Sequence, residues 1–133
     1  MKYDSQDVDI AARTAWGEAR GAGLHGMLMV LWVIRNRALD PRWPDRPADV
    51  ALQDRQFSAW NDGNPNRPKM EDLTPNDMLF RANMAMARAI FESLDVRDPT
   101  LGATHYFADY IDTPTWAENL EFTVQLGHHR FYR

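Results

Sequence analysis

Hydrophobic and polar positions recur along this chain with two different periods, and the change of period separates a helical body from a strand-forming tail. Near the N-terminus Val8, Ala11, Ala12, Ala15 and Ala19 recur at i, i+3, i+4, i+7 and i+11, the spacing of one face of an α-helix. The side chains are small, so another helix can approach that face closely. Asp4 or Ser5 is placed to cap this helix, and Asp7 falls in its first turn, where a carboxylate meets the positive end of the dipole. Gly21-Ala22-Gly23 tolerates the left-handed backbone that ends helices. Leu24 to Ile34, LHGMLMVLWVI, is then apolar on nearly every side and predicts a central helix buried all round. Arg35, Asn36 and Arg37 return it to solvent, and Asp40-Pro41 stops it.

From Asp40 to Lys69 the periodicity is broken by Pro41, Pro44, Pro47, Pro65 and Pro68 and by the turn Asn61-Asp62-Gly63. Pro47 opens a short helix to Leu52. The large apolar residues Trp43, Phe57 and Trp60 mark the remainder as a packed, functional loop. Thr74-Pro75-Asn76-Asp77 reads as a helix start with Thr74 as cap; Met78, Ala82, Ala85, Met86 and Ala89 carry its stripe to about Leu94, before Asp98-Pro99 ends the segment. Beyond Gly102 the period shortens. GATHYF forms a strand, TPTWAENL a capped turn or short helix, and EFTVQLG a strand with Phe122, Val124 and Leu126 on one face. Gly127-His128 turns the chain and HHRFYR returns antiparallel. The expected fold is α+β, mainly helical, with a buried central helix and a small antiparallel sheet near the C-terminus, in a single domain over residues 1–133.

Composition narrows the chemistry. With no cysteine, thiol catalysis, Cys-ligated zinc and disulfides are out. A net charge of −4 argues against nucleic acid as partner. The apolar run is too short to cross a bilayer, and MKYDSQDVDI lacks the pattern of a secretory leader. A target outside the cytoplasm therefore calls for separate delivery. His128 and His129 are adjacent and would point to opposite faces of a strand, and His25 and His105 have no ligand spacing to anything, so no metal or cofactor is expected. There is no G-x-S-x-G elbow or phosphate-binding glycine loop.

Glu18 is the candidate that remains. At about 100° per residue it falls on the shoulder of the small-residue face, in line with Thr14. A carboxyl there loses water around its ionised form, so its pKa should rise and let it hold a proton to donate. Arg13 and Arg20 would oppose that shift if they folded onto it. Trp43, Phe57 and Trp60 border the end of the first helix and have flat faces suited to sugars.

The segments AARTAWGEARGAGLHG (Ala11 to Gly26), VIRNR (Val33 to Arg37), RQFSAWNDG (Arg55 to Gly63), GATHYF (Gly102 to Phe107) and WAENLEFTVQLGHHRFYR from Trp116 together resemble the cell wall hydrolase family that includes the spore cortex-lytic enzymes. The resemblance implies a lysozyme-like domain acting on the β-1,4 glycan strands of peptidoglycan, with Glu18, in the family's G-E-A-R segment, as the catalytic acid. Gln56, Phe57, Ser58, Trp60, His105 and Tyr106 are the candidates for holding sugar. Trp16 stands where many members of the resembled family carry Tyr or another residue, which bears on substrate preference.

Hydrolysis of a glycoside needs a second carboxylate, for which Asp62 and Asp109 are the candidates. A lytic transglycosylase needs none, because the 6-hydroxyl of muramic acid attacks its own anomeric carbon. That reading is favoured over a muramidase using the same Glu18. The competing classes are a non-catalytic cell-wall-binding or virion structural protein and a metal-dependent amidase. The protein is expected to be monomeric, made in the cytoplasm, and to reach the wall through phage-made holes, as an endolysin does, or on a virion.

Overall fold

The computed structural model describes residues 1–92 and 96–133. Asp4 opens the first helix, α1 (Ser5–Ala19), in a capping box: its side chain accepts from the N–H groups of Gln6 and Asp7, and the Asp7 carboxylate accepts from the Asp4 N–H. Asp7, buried, also accepts from Arg46 Nη2 at 2.8 Å and from the Ala48 N–H at 2.9 Å. The start of α1 is thereby fastened to the short helix α3 (Pro47–Ala51), which begins at Pro47 as expected. The small-residue face of α1 is buried at every expected position.

A 3-10 turn at Arg20–Ala22, with Gly23 at φ +75°, joins α1 to α2 (Gly23–Ala38). Val30 to Ile34 of α2 are buried on all sides, but its first turn is not, and Leu24 is half exposed. The expectation of burial all round thus holds only from Val30 to Ile34, since Leu28 and Met29 are half-buried. Arg37 also departs from expectation. The polar run predicts its return to solvent, yet it is 6% exposed, because it continues the face of Val30 and Ile34 at i+7 and i+3.

The proline-rich stretch holds a 3-10 turn at Ser58–Trp60 and a helix that the sequence reading did not anticipate, α4 (Asn66–Glu71). The next helix, α5 (Met78–Glu92), is capped by Asp77, whose Oδ1 accepts from the Phe80 N–H at 2.9 Å. Thr74 instead closes the preceding turn, accepting from the Asn76 N–H. The buried face of α5 is Phe80, Asn83, Ala87, Ile90 and Phe91, not the stripe of Met78, Ala82, Ala85, Met86 and Ala89. Alanines lie at helical spacing on several faces, and the face that removes two phenylalanines and an isoleucine from water wins. Leu94, the expected end of that stripe, lies outside the described residues.

The strands β1 (His105–Ala108), β2 (Phe122–Leu126) and β3 (His129–Tyr132) form an antiparallel sheet in the order β1-β3-β2. One face carries Tyr106, Phe131, Val124 and Leu126 onto Val33 and Met29 of α2. The other carries Phe107 and Tyr132 onto Trp116 and Ala117 of the 3-10 turn Thr115–Asn119. Phe122 does not share a face with Val124 and Leu126. The register shifts between Phe122 and Val124, the period-two alternation breaks there, and Phe122 packs edge-on against Tyr132 with ring centroids 5.6 Å apart.

Candidate active site

Glu18 stands in the last turn of α1, one residue before the helix ends. Gly17 explains why a loop lies against it. A Cβ at Gly17 would collide with Met70 Sδ and come within 3.0 Å of Ala59 Cβ, so only glycine lets α4 and the turn at Ser58–Trp60 close onto this helix. Trp60 secures the same contact: its indole N–H donates to Thr14 Oγ1 at 2.8 Å. As a result the Ala59 N–H points at Glu18 Oε1, 3.4 Å away.

Burial raises the Glu18 pKa above the usual carboxylate range, and the N–H groups of Ala59 and Ser58 pull back against it. The two arginines that would have cancelled the shift are occupied elsewhere. Arg13 pairs with Asp9 at 2.9 Å, donates to the carbonyls of Met70 and Leu73, and lies over Phe80. Arg20 lies over Trp16, 4.0 Å from the ring centre, and donates to Asn66 Oδ1 at 2.8 Å.

Glu18 opens onto a cleft of about 550 Å³ walled by Arg37, Arg55, Gln56, Phe57, Ser58, His105, Tyr106 and Trp116. The cleft runs on in both directions. Gln56, His105 and Trp116 are shared with a hollow of about 400 Å³ toward Arg42 and Trp43. On the other side Glu18 and Tyr106 border a narrow gap leading past His129 and Met29 to a hollow of about 470 Å³ at His25, Leu126 and His128. The result is a groove with a carboxyl near its middle, a shape suited to a polymer.

Of the residues expected to hold sugar, Gln56, Phe57, Ser58, His105 and Tyr106 line this cleft with Glu18. Gln56 and Ser58 are exposed, whereas Phe57 is buried at 3% and forms the floor. Trp60 does not line it. It borders an adjoining hollow with Asp54, Asp62 and Arg67, which meets the cleft at Arg55. Asp62 pairs with Arg67 at 2.7 Å, and Asp109 accepts from Gln125 and lies 3.3 Å from His128 Nδ1. Neither lines the cleft, so among the described residues Glu18 is its one carboxylate.

The His105 ring sits between Trp43 and Trp116, with centroids 5.5 and 5.0 Å away. Burial, with the charges of Arg37 and Arg42, pulls its pKa down to about 4, so it meets a ligand as neutral imidazole. Burial first, and then the Glu18 charge, push the Tyr106 phenol up, which keeps it a donor. Three wall residues lie outside the expected set: Arg37, Arg55 and Trp116. The i+3 and i+7 spacing of Arg37 from Ile34 and Val30 is the available signal for the first, whereas Trp116 sits in a stretch whose pattern shows only a capped turn or short helix. Among the described residues no three His, Cys, Asp or Glu side chains gather as a metal would require.

Comparison with known proteins extends this picture. The family described as Cell Wall Hydrolase matches residues 21–132, a span that begins just after Glu18. A spore cortex-lytic enzyme of Halalkalibacterium halodurans is 30% identical over 129 residues, covering 97% of this chain and 35% of its own length. The catalytic domain of the germination-specific lytic transglycosylase SleB from Bacillus anthracis superposes with a TM-score of 0.73 at 26% identity, over 98% of this chain and 97% of that one. The catalytic domain of Bacillus cereus SleB gives 0.74 at 26% identity, over 99% and 93%. The chain spans between 35% and 45% of the length of the curated relatives it matches. These relatives are spore enzymes, and the phage delivery expected from the sequence finds no support among them. No described helix is long and apolar enough to cross a membrane.

Proposed function

The chain belongs to the cell wall hydrolase family, and from that premise we propose that residues 1–133 act as one catalytic domain, a lytic transglycosylase on peptidoglycan. The bond cut is the β-1,4 link between N-acetylmuramic acid and N-acetylglucosamine. Protonated Glu18 gives its proton to the bridging oxygen as the bond from that oxygen to the muramic anomeric carbon breaks. The 6-hydroxyl of the same muramic acid then bonds to the anomeric carbon, and its proton passes to the Glu18 carboxylate. The acid is regenerated and no water is consumed.

The observation that carries this reading is the solitary carboxyl. Hydrolysis by the usual routes engages two carboxylates flanking the bond, and neither Asp62 nor Asp109 lines the cleft. The elevated pKa suits donation, and the Ala59 and Ser58 N–H groups suit the ionised form that follows it. Gln56, Ser58, neutral His105 and the Tyr106 hydroxyl supply donors and acceptors for sugar hydroxyl and acetamido groups, while Trp116 and Phe57 supply apolar walls. The spore-enzyme relatives support a wall substrate.

Mass spectrometry of the fragments released from purified peptidoglycan is the test. Muropeptides ending in 1,6-anhydromuramic acid are expected. Reducing ends carrying the mass of one added water would make the protein a muramidase, and binding without release of fragments would make it a wall-binding protein.

A further inference from the structure

Arg37 is a charged side chain with no counter-charge. It is 6% exposed, yet among the described residues no carboxylate pairs with it. Its Nε donates to the buried Thr104 carbonyl at 2.7 Å and its Nη1 to Gln56 Oε1 at 3.3 Å. Nη2 has no partner among the described residues and is not sealed off from solvent. The rings of Trp43 and Phe57 pack against the guanidinium, each centroid 5.3 Å from its central carbon. The group is thus aimed and fixed in the wall of the cleft that Glu18 opens onto.

Tying α2 to β1 does not explain such a group. A lysine or glutamine could make the single bond to Thr104 without burying a planar cation. Burying a charge without a partner is costly, and burial has lowered the Arg37 pKa only to about 10, so it stays charged at neutral pH. A guanidinium held in place with free N–H groups suits a carboxyl-type oxygen supplied from outside.

We propose that Arg37 recognises the 3-O-lactyl group of a muramic acid, donating from Nη2 to its carboxyl-derived oxygen, and that this contact distinguishes muramic acid from N-acetylglucosamine. The lactyl group is a free carboxylate where the peptide stem is absent and an amide where it is present, and both offer such an oxygen. The proposal rests on the glycan-strand reading above and names which sugar the cleft selects.

The test uses soluble glycan fragments in three forms: bearing stems, stem-free with the lactyl carboxylate, and stem-free with that carboxylate reduced to the alcohol. Dissociation constants are measured with Glu18→Gln protein and kcat/KM with the wild type. Losing a hydrogen bond from a charged donor should weaken binding of the reduced form about 10- to 100-fold. Tighter binding of the free acid than of the amide would show that Arg37 reads charge; equal binding would show that it reads the carbonyl oxygen. Arg37→Gln should bring the intact-to-reduced ratio close to one, with Arg37→Lys in between. If Arg37→Gln does not fold, the substrate series on otherwise intact protein decides alone. Equal affinity for intact and reduced fragments overturns the assignment, as does an Arg37→Gln protein that keeps the ratio. Discrimination in binding with no cleavage would sustain Arg37 and sink only the catalytic reading, whereas no binding of any form would sink both.

Discussion

Replacing Glu18 by Gln keeps the shape of the side chain and its acceptor for the Ala59 N–H while removing the proton it would donate. General acid and base assistance each contribute about 10²- to 10⁴-fold, and in the proposed cycle one carboxyl supplies both. Among the described residues the cleft holds no second carboxylate to take its place. The expected loss is therefore about a thousand-fold or more, roughly 4 kcal/mol of transition-state stabilisation. Stability should move the other way. Because the folded pKa of Glu18 lies above its unfolded value, its contribution to folding is fully present below the unfolded value and is lost as pH rises through the folded one. Glutamine does not titrate, so at pH near 7 the variant should melt no lower than the wild type, and the advantage should vanish in acid. Turbidity clearing of purified walls measures the first effect, and thermal melts at acidic and neutral pH the second. Clearing at about a tenth of the wild-type rate or better would remove Glu18 from the chemistry, since acid-base assistance is worth far more than that.

Other residues give separate checks. Gly17→Ala should destabilise the fold by about 1–3 kcal/mol through overpacking against Met70 and Ala59, and lower activity by shifting the Ala59 N–H; in urea titrations its cost should fall when Met70→Ala is added, and strict additivity would refute the contact. Asp7→Ala strips the acceptor from the Asp4 and Ala48 amides and from Arg46; since Arg46 still reaches water, the loss should be about 2–4 kcal/mol by urea unfolding, somewhat below that of breaking a fully buried pair. His105, held at about 4, favours folding in its neutral form, so that stability is present above about 6.5 and lost as pH falls toward 4; its NMR signals should stay flat from pH 8 to pH 5, and a midpoint above 6 would contradict the packing between Trp43 and Trp116.

The elements that were legible in the sequence are those whose own side chains set the pattern. Val8, Ala11, Ala15 and Ala19 fixed the buried face of α1, and Gly127-His128 marked the hairpin between β2 and β3. Where two faces competed, as in alanine-rich α5, spacing alone did not choose, and the area of Phe80, Ile90 and Phe91 did. α4 was hidden because Pro65 and Pro68 read as breakers, although Pro65 caps the helix and Pro68 falls within its first turn, where the missing N–H does no harm. The walls of the cleft come from chain separated by tens of residues. Gln56, Ser58 and His105 were placed beside Glu18 through family-like segments, since no local spacing joins α1 to β1.

Glu18 stands out in the structure for a different reason, which is that it breaks a local rule. The negative end of a helix dipole disfavours a carboxylate and favours a base, yet α1 has an acid in its last turn and no base there. Arg20, which follows directly, turns away onto Trp16 and Asn66. Gly17 then brings Ala59 and Met70 close enough to shield the carboxyl from water on one side, while the cleft leaves it open on the other. Helix position, burial and missing cations all work against ionisation. A position where several independent choices forgo stability in the same direction is one where a function sets the residue, and proton donation, the role proposed for Glu18, is a function that gains from a carboxyl pKa raised by burial.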